Sequence, residues 1–163
     1  ERLREFSRQD PETEAETVDL GATVTTAIDL SRARVAQHPA IDLRAILAPV
    51  PPVWARSSEL ATAVVNLIAN ATDALGERGS ITITTGAEDD GSWVEVADDG
   101  PGMPPEVERR VFEPFFTTKA EGTGLGLAMV YAFVQRHGGR ASLVTAPGQG
   151  TRIRLWFPSA RRH

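Results

Sequence analysis

The chain has 163 residues, 41% of them hydrophobic and 24% charged, which predicts a single soluble globular domain with a core of its own. Its net charge of −5, with no concentrated basic stripe, argues against a nucleic-acid partner. Because the chain has no cysteine, disulfides are excluded and a metal could be held only by oxygen or nitrogen ligands. The sequence shows no signal peptide and no apolar run of about 18 residues, so we expect a cytoplasmic segment without direct membrane contact.

Apolar periodicity and turn residues predict strands that alternate with helices. Residues 1–17 are expected to be the end of a longer helix followed by a polar linker, and 159–163 a C-terminal tail. The domain between them, 18–158, is predicted to contain, in chain order, a strand at 18–20, a helix at 24–38, a strand at 41–47, a helix capped by Ser57 or Ser58 and ending at Leu75, strands at 80–85 and 93–97, a short helix from 104, a helix at 124–138, and strands at 141–145 and 152–157.

Tight turns join two of the predicted strand pairs directly. Asp89-Asp90-Gly91 follows one strand of the middle pair, and Pro147-Gly148-Gln149-Gly150 lies between the last two strands. Hairpins make neighbouring strands antiparallel, whereas the interleaved helices must cover the sheet. The predicted fold class is therefore α/β, a two-layer sandwich whose mixed, mostly antiparallel sheet is covered on one face by about three helices.

The long helix that ends at Leu75 carries three polar residues on one face. Asn66, Asn70 and Asp73 are four and three positions apart, so they share an arc of roughly 60° opposite an apolar stripe. Oxygen-bearing side chains are the ligands that Mg²⁺ prefers. The pattern thus indicates a cation site, with an ordinary solvated helix face as the alternative.

A second candidate site follows the strand that ends at residue 97, where the chain reads Asp98-Asp99-Gly100-Pro101-Gly102-Met103. An ionised carboxylate only accepts hydrogen bonds, so in an apolar pocket it selects a ligand that presents an N–H group, such as the exocyclic amine of adenine. Guanine has a carbonyl there and would be repelled. A plain turn is the alternative interpretation.

Two further segments indicate phosphate binding. The loop at 112–121 has three phenylalanines and Lys119; it is either a satellite core or a mobile lid whose lysine reaches a phosphate. Residues 122–127 then read Gly-Thr-Gly-Leu-Gly-Leu and open a helix, where free backbone N–H groups and the helix dipole favour an anion. Neither the dinucleotide fingerprint nor the P-loop fits this stretch, so the phosphate site belongs to another architecture.

The order of these motifs, ending with Gly148-Gln149-Gly150-Thr151, resembles the catalytic ATP-binding domain of sensor histidine kinases over about residues 18–158. In this comparison residues 112–118 are similar to the family's F box. The amino-acid sequence from residue 126 onward is most similar to that of nitrogen-regulation-type and hybrid kinases. The resemblance implies the Bergerat ATP-binding sandwich, which gyrase, Hsp90 and the mismatch-repair ATPases share, with ATP and Mg²⁺ as cofactors.

The resemblance also implies a role for individual residues. Asn70 would hold Mg²⁺ with help from Asn66, and these two with Lys119 would form the catalytic set. Asp98 would read the adenine, with Thr151 near the base. The complete set implied for nucleotide binding is Asn66, Asn70, Asp73, Asp98, Gly100, Gly102, Met103, Phe116, Lys119, Gly122, Thr123, Gly124, Leu125, Gly126, Leu127 and Thr151.

The partners implied are a histidine-bearing dimerisation hairpin of the parent kinase and, downstream, the receiver domain of a response regulator. No histidine precedes His38, so this chain alone is expected to bind ATP without autophosphorylating, and to be a monomer. Three alternatives stay open: a hydrolysing ATPase, a serine kinase of the anti-sigma type, and a nucleotide-binding module without activity. Asn66 argues against hydrolysis, because the hydrolysing relatives carry a glutamate there and an amide cannot act as a base.

Overall fold

The structure, a computed structural model, describes residues 14–114, 116 and 126–160. The predicted helix end at residues 1–8 lies outside them. The elements are β1 (Glu16–Val18), α1 (Leu20–Ala36), β2 (Ala40–Leu47), β3 (Val53–Ala55), α2 (Ser57–Leu75), β4 (Arg78–Glu88), β5 (Gly91–Asp98), α3 (Pro105–Glu108), α4 (Gly126–Arg136), β6 (Arg140–Thr145) and β7 (Thr151–Pro158).

The main sheet has five strands in the order β2-β4-β5-β7-β6. β2 pairs with β4 in parallel, whereas the other three pairings are antiparallel. Along β4, β5 and β7 alternate side chains are buried, so one face of the sheet packs into the core. Buried residues of α1, α2 and α4 belong to the same core cluster. The predicted two-layer sandwich with a mixed, mostly antiparallel sheet is confirmed.

The long helix buries the stripe that its periodicity predicts. Leu60, Val64 and Leu67 are each at most 1% exposed, and the neighbouring α2 residue Ile68 is fully buried with them. This stripe fixes the rotation of α2 about its own axis, because turning the helix would expose these side chains to water. The polar arc with Asn66 and Asn70 is thereby held at the edge of the core.

The first predicted strand and the start of the first predicted helix are wrong in detail. The strand predicted at 18–20 lies at Glu16–Val18 instead. Asp19 is the N-cap of α1, where its carboxylate accepts a hydrogen bond from the Ala22 N–H group at 3.1 Å, and Leu20 is a fully buried helix residue. A capping carboxylate satisfies a free N–H group of the first turn, so the helix begins earlier than the apolar periodicity indicates.

The segment after the prolines contains one strand that was not predicted and one cap that was predicted wrongly. Val53–Ala55 form a strand that pairs with β1, and the sequence analysis assigned no element to these residues. The N-cap of α2 is Arg56, without a side-chain cap, and Ser57 donates its hydroxyl to Glu16 at 3.0 Å instead. Both differences have one cause, since β1 supplies partners that are about 40 residues away in sequence and local signals cannot report them.

The predicted hairpin turn between β4 and β5 is confirmed. Asp89 and Asp90 have φ angles of 54° and 59°, the paired positive values of a two-residue turn that matches the twist of its strands. The strands extend to Glu88 and from Gly91, further than predicted. Within the part of the chain that is described, no helix combines the length and the apolar character needed to cross a bilayer.

Candidate functional site

A small cavity of about 30 Å³ lies where α2 passes the ends of β5 and β7. It brings together four of the residues that the sequence predicted for a site. A cavity of this size holds a water or two, so a larger ligand must widen it. Met103, whose side chain is unbranched and adaptable, is the lining group best able to move aside. The lining residues are Leu67, Asn70, Ala71, Ala74, Val96, Asp98, Met103, Thr151 and Ile153.

The charged group of this cavity is Asp98, the last residue of β5. Its Oδ1 accepts a hydrogen bond from the Gly100 N–H group at 2.9 Å. The pKa of Asp98 is raised, chiefly because burial penalises the carboxylate and also because Asp99 is close, while the N–H groups of Gly100 and Thr151 act in the opposite direction. The site therefore holds a partly desolvated carboxylate that can still accept a hydrogen bond from a ligand.

The raised pKa predicts a distinctive pH dependence of stability. Because the folded state holds the Asp98 proton more tightly than the unfolded chain does, this residue's contribution is fully present below the carboxyl's ordinary pKa of 3.8 and is lost as pH rises through the raised pKa. Relative to Asp98→Asn, which cannot titrate, the free energy of unfolding of the wild-type domain should therefore fall over that interval. Urea unfolding across pH measures the difference, and a difference that stays constant or grows with pH would contradict the raised pKa.

The loop that follows Asp98 is tied to the hairpin turn between β6 and β7. The Gly148 N–H group donates to the Pro101 carbonyl at 2.6 Å, and the Met103 N–H group donates to Oγ1 of Thr145 at 2.9 Å. Both bonds join the loop to the β6–β7 hairpin, so they hold Met103, which lines the cavity, against that hairpin.

Glycines permit this close approach. Gly102 has a φ of 71°, and a Cβ there would collide with the Ala146 backbone; Gly150 has a φ of 78°, and a Cβ there would collide with the Asp98 backbone. A Cβ on Gly100 would lie 3.0 Å from Oδ1 of Asp98. These glycines thus serve the packing of protein on protein. The contacts of Gly100 and Gly102 with a ligand stay predictions.

Asn66 does not line the same cavity as Asn70. It lines a second cavity of about 250 Å³ between α2 and α4, one helical turn away along α2. The two amides thus open on neighbouring cavities rather than a common one. The lining residues of the second cavity are Ser58, Glu59, Thr62, Ala63, Asn66, Met129, Val130, Ala132, Phe133 and Arg136.

Asp73 lines neither of these two cavities. Its carboxylate lies 4.0 Å from the Arg34 guanidinium of α1, and both side chains are exposed. Exposed pairs at this distance contribute little to stability. The role of Asp73 in nucleotide binding stays a prediction, and its position beside α1 does not support it.

The predicted aromatic loop packs on the protein where it is described. The Phe112 ring stacks on Tyr131 of α4 with centroids 5.2 Å apart, and the Arg110 guanidinium lies 4.5 Å from the Phe116 ring centre. Leu127 is only 8% exposed and belongs to the core, while Gly126 is exposed at the first turn of α4. The predicted site residues Lys119, Gly122, Thr123, Gly124 and Leu125 lie outside the described residues.

Sequence reasoning missed Thr145, which makes three hydrogen bonds at the wall of the cavity. The available signal was its position, because Thr145 and Thr151 flank the predicted turn and pair across β6 and β7. Among the residues described, no three His, Asp or Glu side chains cluster as a metal site. A bound cation would therefore need oxygens from its ligand and from water in addition to an amide.

Residues 55–161 match the family of histidine kinase-, DNA gyrase B- and HSP90-like ATPases. The chain belongs to this family. It is 39% identical over 109 residues to the sensor histidine kinase ZraS of Escherichia coli O157:H7, covering 67% of this chain and 24% of that protein. It is also 35% identical over 124 residues to the sensory histidine kinase/phosphatase NtrB of Rhodobacter capsulatus, covering 68% and 35%.

The solved structure of the mycobacterial sensor histidine kinase MprB superposes with a TM-score of 0.77 at 31% identity, covering 88% of this chain and 96% of that one. The chain is therefore an ATP-binding catalytic domain of the sensor histidine kinase type, as the motif order predicted. It spans about a quarter to a third of the length of the curated relatives ZraS and NtrB.

Proposed function

We propose that this domain binds ATP with Mg²⁺ and transfers the γ-phosphate to a histidine on a separate dimerisation hairpin of its parent kinase. From there the phosphoryl group would pass to the receiver domain of a response regulator. The observation that carries the proposal is the cavity shared by Asp98, Asn70 and Thr151 in a chain of this ATPase family. A carboxylate that binds the base and an amide that holds the cation must lie close enough to contact one ligand, and the shared cavity supports this pairing of Asp98 and Asn70.

Asp98 is proposed to select the base. Its carboxylate is partly desolvated in a cavity that Val96, Ile153 and Leu67 also line, so a ligand that donates an N–H group offsets the unfavourable burial. The exocyclic amine of adenine is such a donor. The carbonyl of guanine is not, and would place two acceptors against each other.

Asn70 is proposed to hold the cation, with Asn66 one turn away on the same helix. Amide oxygens suit Mg²⁺, which usually takes few protein ligands and completes its shell with phosphate oxygens and water. When bound, the ion neutralises charge on the phosphates. Lys119 and the glycines at 122–126 are proposed to add positive charge and N–H donors at the start of α4.

Asn66 also supports transfer to a protein acceptor over hydrolysis. A carboxamide has no useful basicity, so it cannot take a proton from an attacking water molecule. An acceptor with its own nucleophilic nitrogen, such as imidazole, needs no such base. In this proposal the domain supplies positioning and electrostatic stabilisation, which is the usual content of phosphoryl-transfer catalysis.

The same proposal places the domain in the cytoplasm, where ATP is available, and leaves dimerisation to the parent's hairpin. The isolated domain is then a monomer. A size-exclusion profile at the mass of one 17.6 kDa chain is the expected behaviour.

The test combines nucleotide titration with a transfer assay. ATP and ADP should bind, with ATP strongly favoured by Mg²⁺, and GTP should bind far more weakly. With γ-labelled ATP, label should appear on a separately produced hairpin and not on one whose histidine is replaced by glutamine. Acid-stable label would indicate a serine kinase. Steady phosphate release at about one per second in the absence of the hairpin would indicate a hydrolysing ATPase. Either result overturns the proposal.

A further inference from the structure

Thr145 is the end residue of β6 and lies in one row with Thr151 of β7 and Asp98 of β5, because the three are register partners across neighbouring strands. Its hydroxyl oxygen is 2.9 Å from the Gly150 carbonyl, 2.9 Å from the Met103 nitrogen and 3.0 Å from Oγ1 of Thr151. A hydroxyl has one hydrogen and two lone pairs, so these three partners use its full capacity.

The directions of these bonds follow from the partners. The Gly150 carbonyl can only accept, so Thr145 gives it its single hydrogen. The Met103 N–H group can only donate, so it takes one lone pair of Thr145. The contact with Thr151 can then be a hydrogen bond only if Thr151 donates.

This assignment fixes what Thr151 offers to the cavity. With its hydrogen directed at Thr145, Oγ1 of Thr151 has only lone pairs left. Thr151 lines the cavity beside Asp98, whose carboxylate is also an acceptor. The Asp98 carboxylate and the Thr151 hydroxyl oxygen therefore both present hydrogen-bond acceptors on this side of the cavity. This arrangement favours a ligand with an amino group, which has two N–H hydrogens, and disfavours a ligand with a carbonyl group in the same place.

We propose that Thr145 is a positioning residue for base specificity, which holds Thr151 as a hydrogen-bond acceptor and so strengthens the choice of an amino-bearing purine over a carbonyl-bearing one. The inference rests on the proposed function, since it concerns the same nucleotide site. Thr145 is not among the residues that line the cavity, so it need not touch the nucleotide.

The test uses Thr145→Val, which removes the hydroxyl and keeps the shape. Thr151 can then rotate its hydrogen into the cavity and donate to a carbonyl. We expect the ATP-to-GTP affinity ratio to fall by roughly five- to tenfold, the effect of about one hydrogen bond. Thr145→Ser retains the hydroxyl and should restore the ratio. Should the valine variant not fold, Thr145→Ala removes the same hydroxyl without demanding space.

The matched control is Thr85→Val. Thr85 is 5% exposed, and its hydroxyl donates to the Ala48 carbonyl at 2.9 Å, away from both cavities. This change should lower the melting temperature and leave the ATP-to-GTP ratio unchanged. If the wild-type domain binds ATP but neither Thr145→Val nor Thr145→Ala changes the ATP-to-GTP affinity ratio, the inference about Thr145 is overturned and the proposed function is not. A wild-type domain that binds no ATP overturns the proposed function and this inference with it.

Discussion

Replacing Asn70 by alanine is expected to abolish Mg²⁺-dependent ATP binding while leaving a folded domain. Asn70 is the amide that shares a cavity with Asp98, and no described cluster of acidic side chains or histidines could replace it as a cation ligand. Loss of an outer-shell partner of a metal ligand already costs 10- to 100-fold in affinity, so loss of the ligand should cost more than about 100-fold. Calorimetric titration with ATP in the presence of Mg²⁺ measures this.

The control for this prediction is the metal itself. Without Mg²⁺, the wild-type domain and Asn70→Ala should bind ATP equally weakly, because the substitution removes only the contribution of the cation. Asn70 is half-buried at the edge of α2, and alanine is a better helix former, so the melting temperature should not fall sharply. Unchanged affinity in the presence of Mg²⁺ would defeat the assignment of Asn70.

Asp98→Asn is expected to weaken ATP binding by about 10- to 100-fold, the range for losing a hydrogen bond to a charged group. The side-chain amide keeps the shape of the carboxylate but replaces one acceptor with a donor, which faces the amine of adenine unfavourably. ADP affinity should fall by the same factor, because the effect lies at the base and not at the phosphates. Parallel titrations with both nucleotides check this.

Asp99→Asn is the matched control, one residue further along. Oδ1 of Asp99 accepts a hydrogen bond from the Ser80 N–H group at 2.8 Å, and an asparagine oxygen can do the same. Asp99 also raises the pKa of Asp98, so its removal should lower that pKa without removing the base contact. ATP affinity that falls equally in both variants would show that loop structure, rather than the Asp98 carboxylate, carries the effect.

Much of the candidate site could be predicted because its motifs are local. Asp98 stands directly after a strand pattern, and Asn70 stands on a helix face opposite an apolar stripe, so each position follows from nearby residues. The surroundings of other predicted site residues depend on distant segments of the chain and could not be predicted from nearby residues. Asp73 shares the polar arc of α2 but lies beside Arg34 of α1, which the helix alone does not reveal. Asn66 likewise opens on a second cavity because α4 packs against that part of α2.

The amino-acid sequence by itself determined the fold class, the two hairpin turns and the order of the motifs, because periodicity and turn chemistry act over a few residues. Only the tertiary structure decided that β2 pairs in parallel with β4, that residues 53–55 form a strand against β1, and that Thr145 joins the loop after Asp98 to the last hairpin. Those features depend on pairing between segments about 40 residues apart, and such pairing is selected by the packing of the whole core rather than by any local preference.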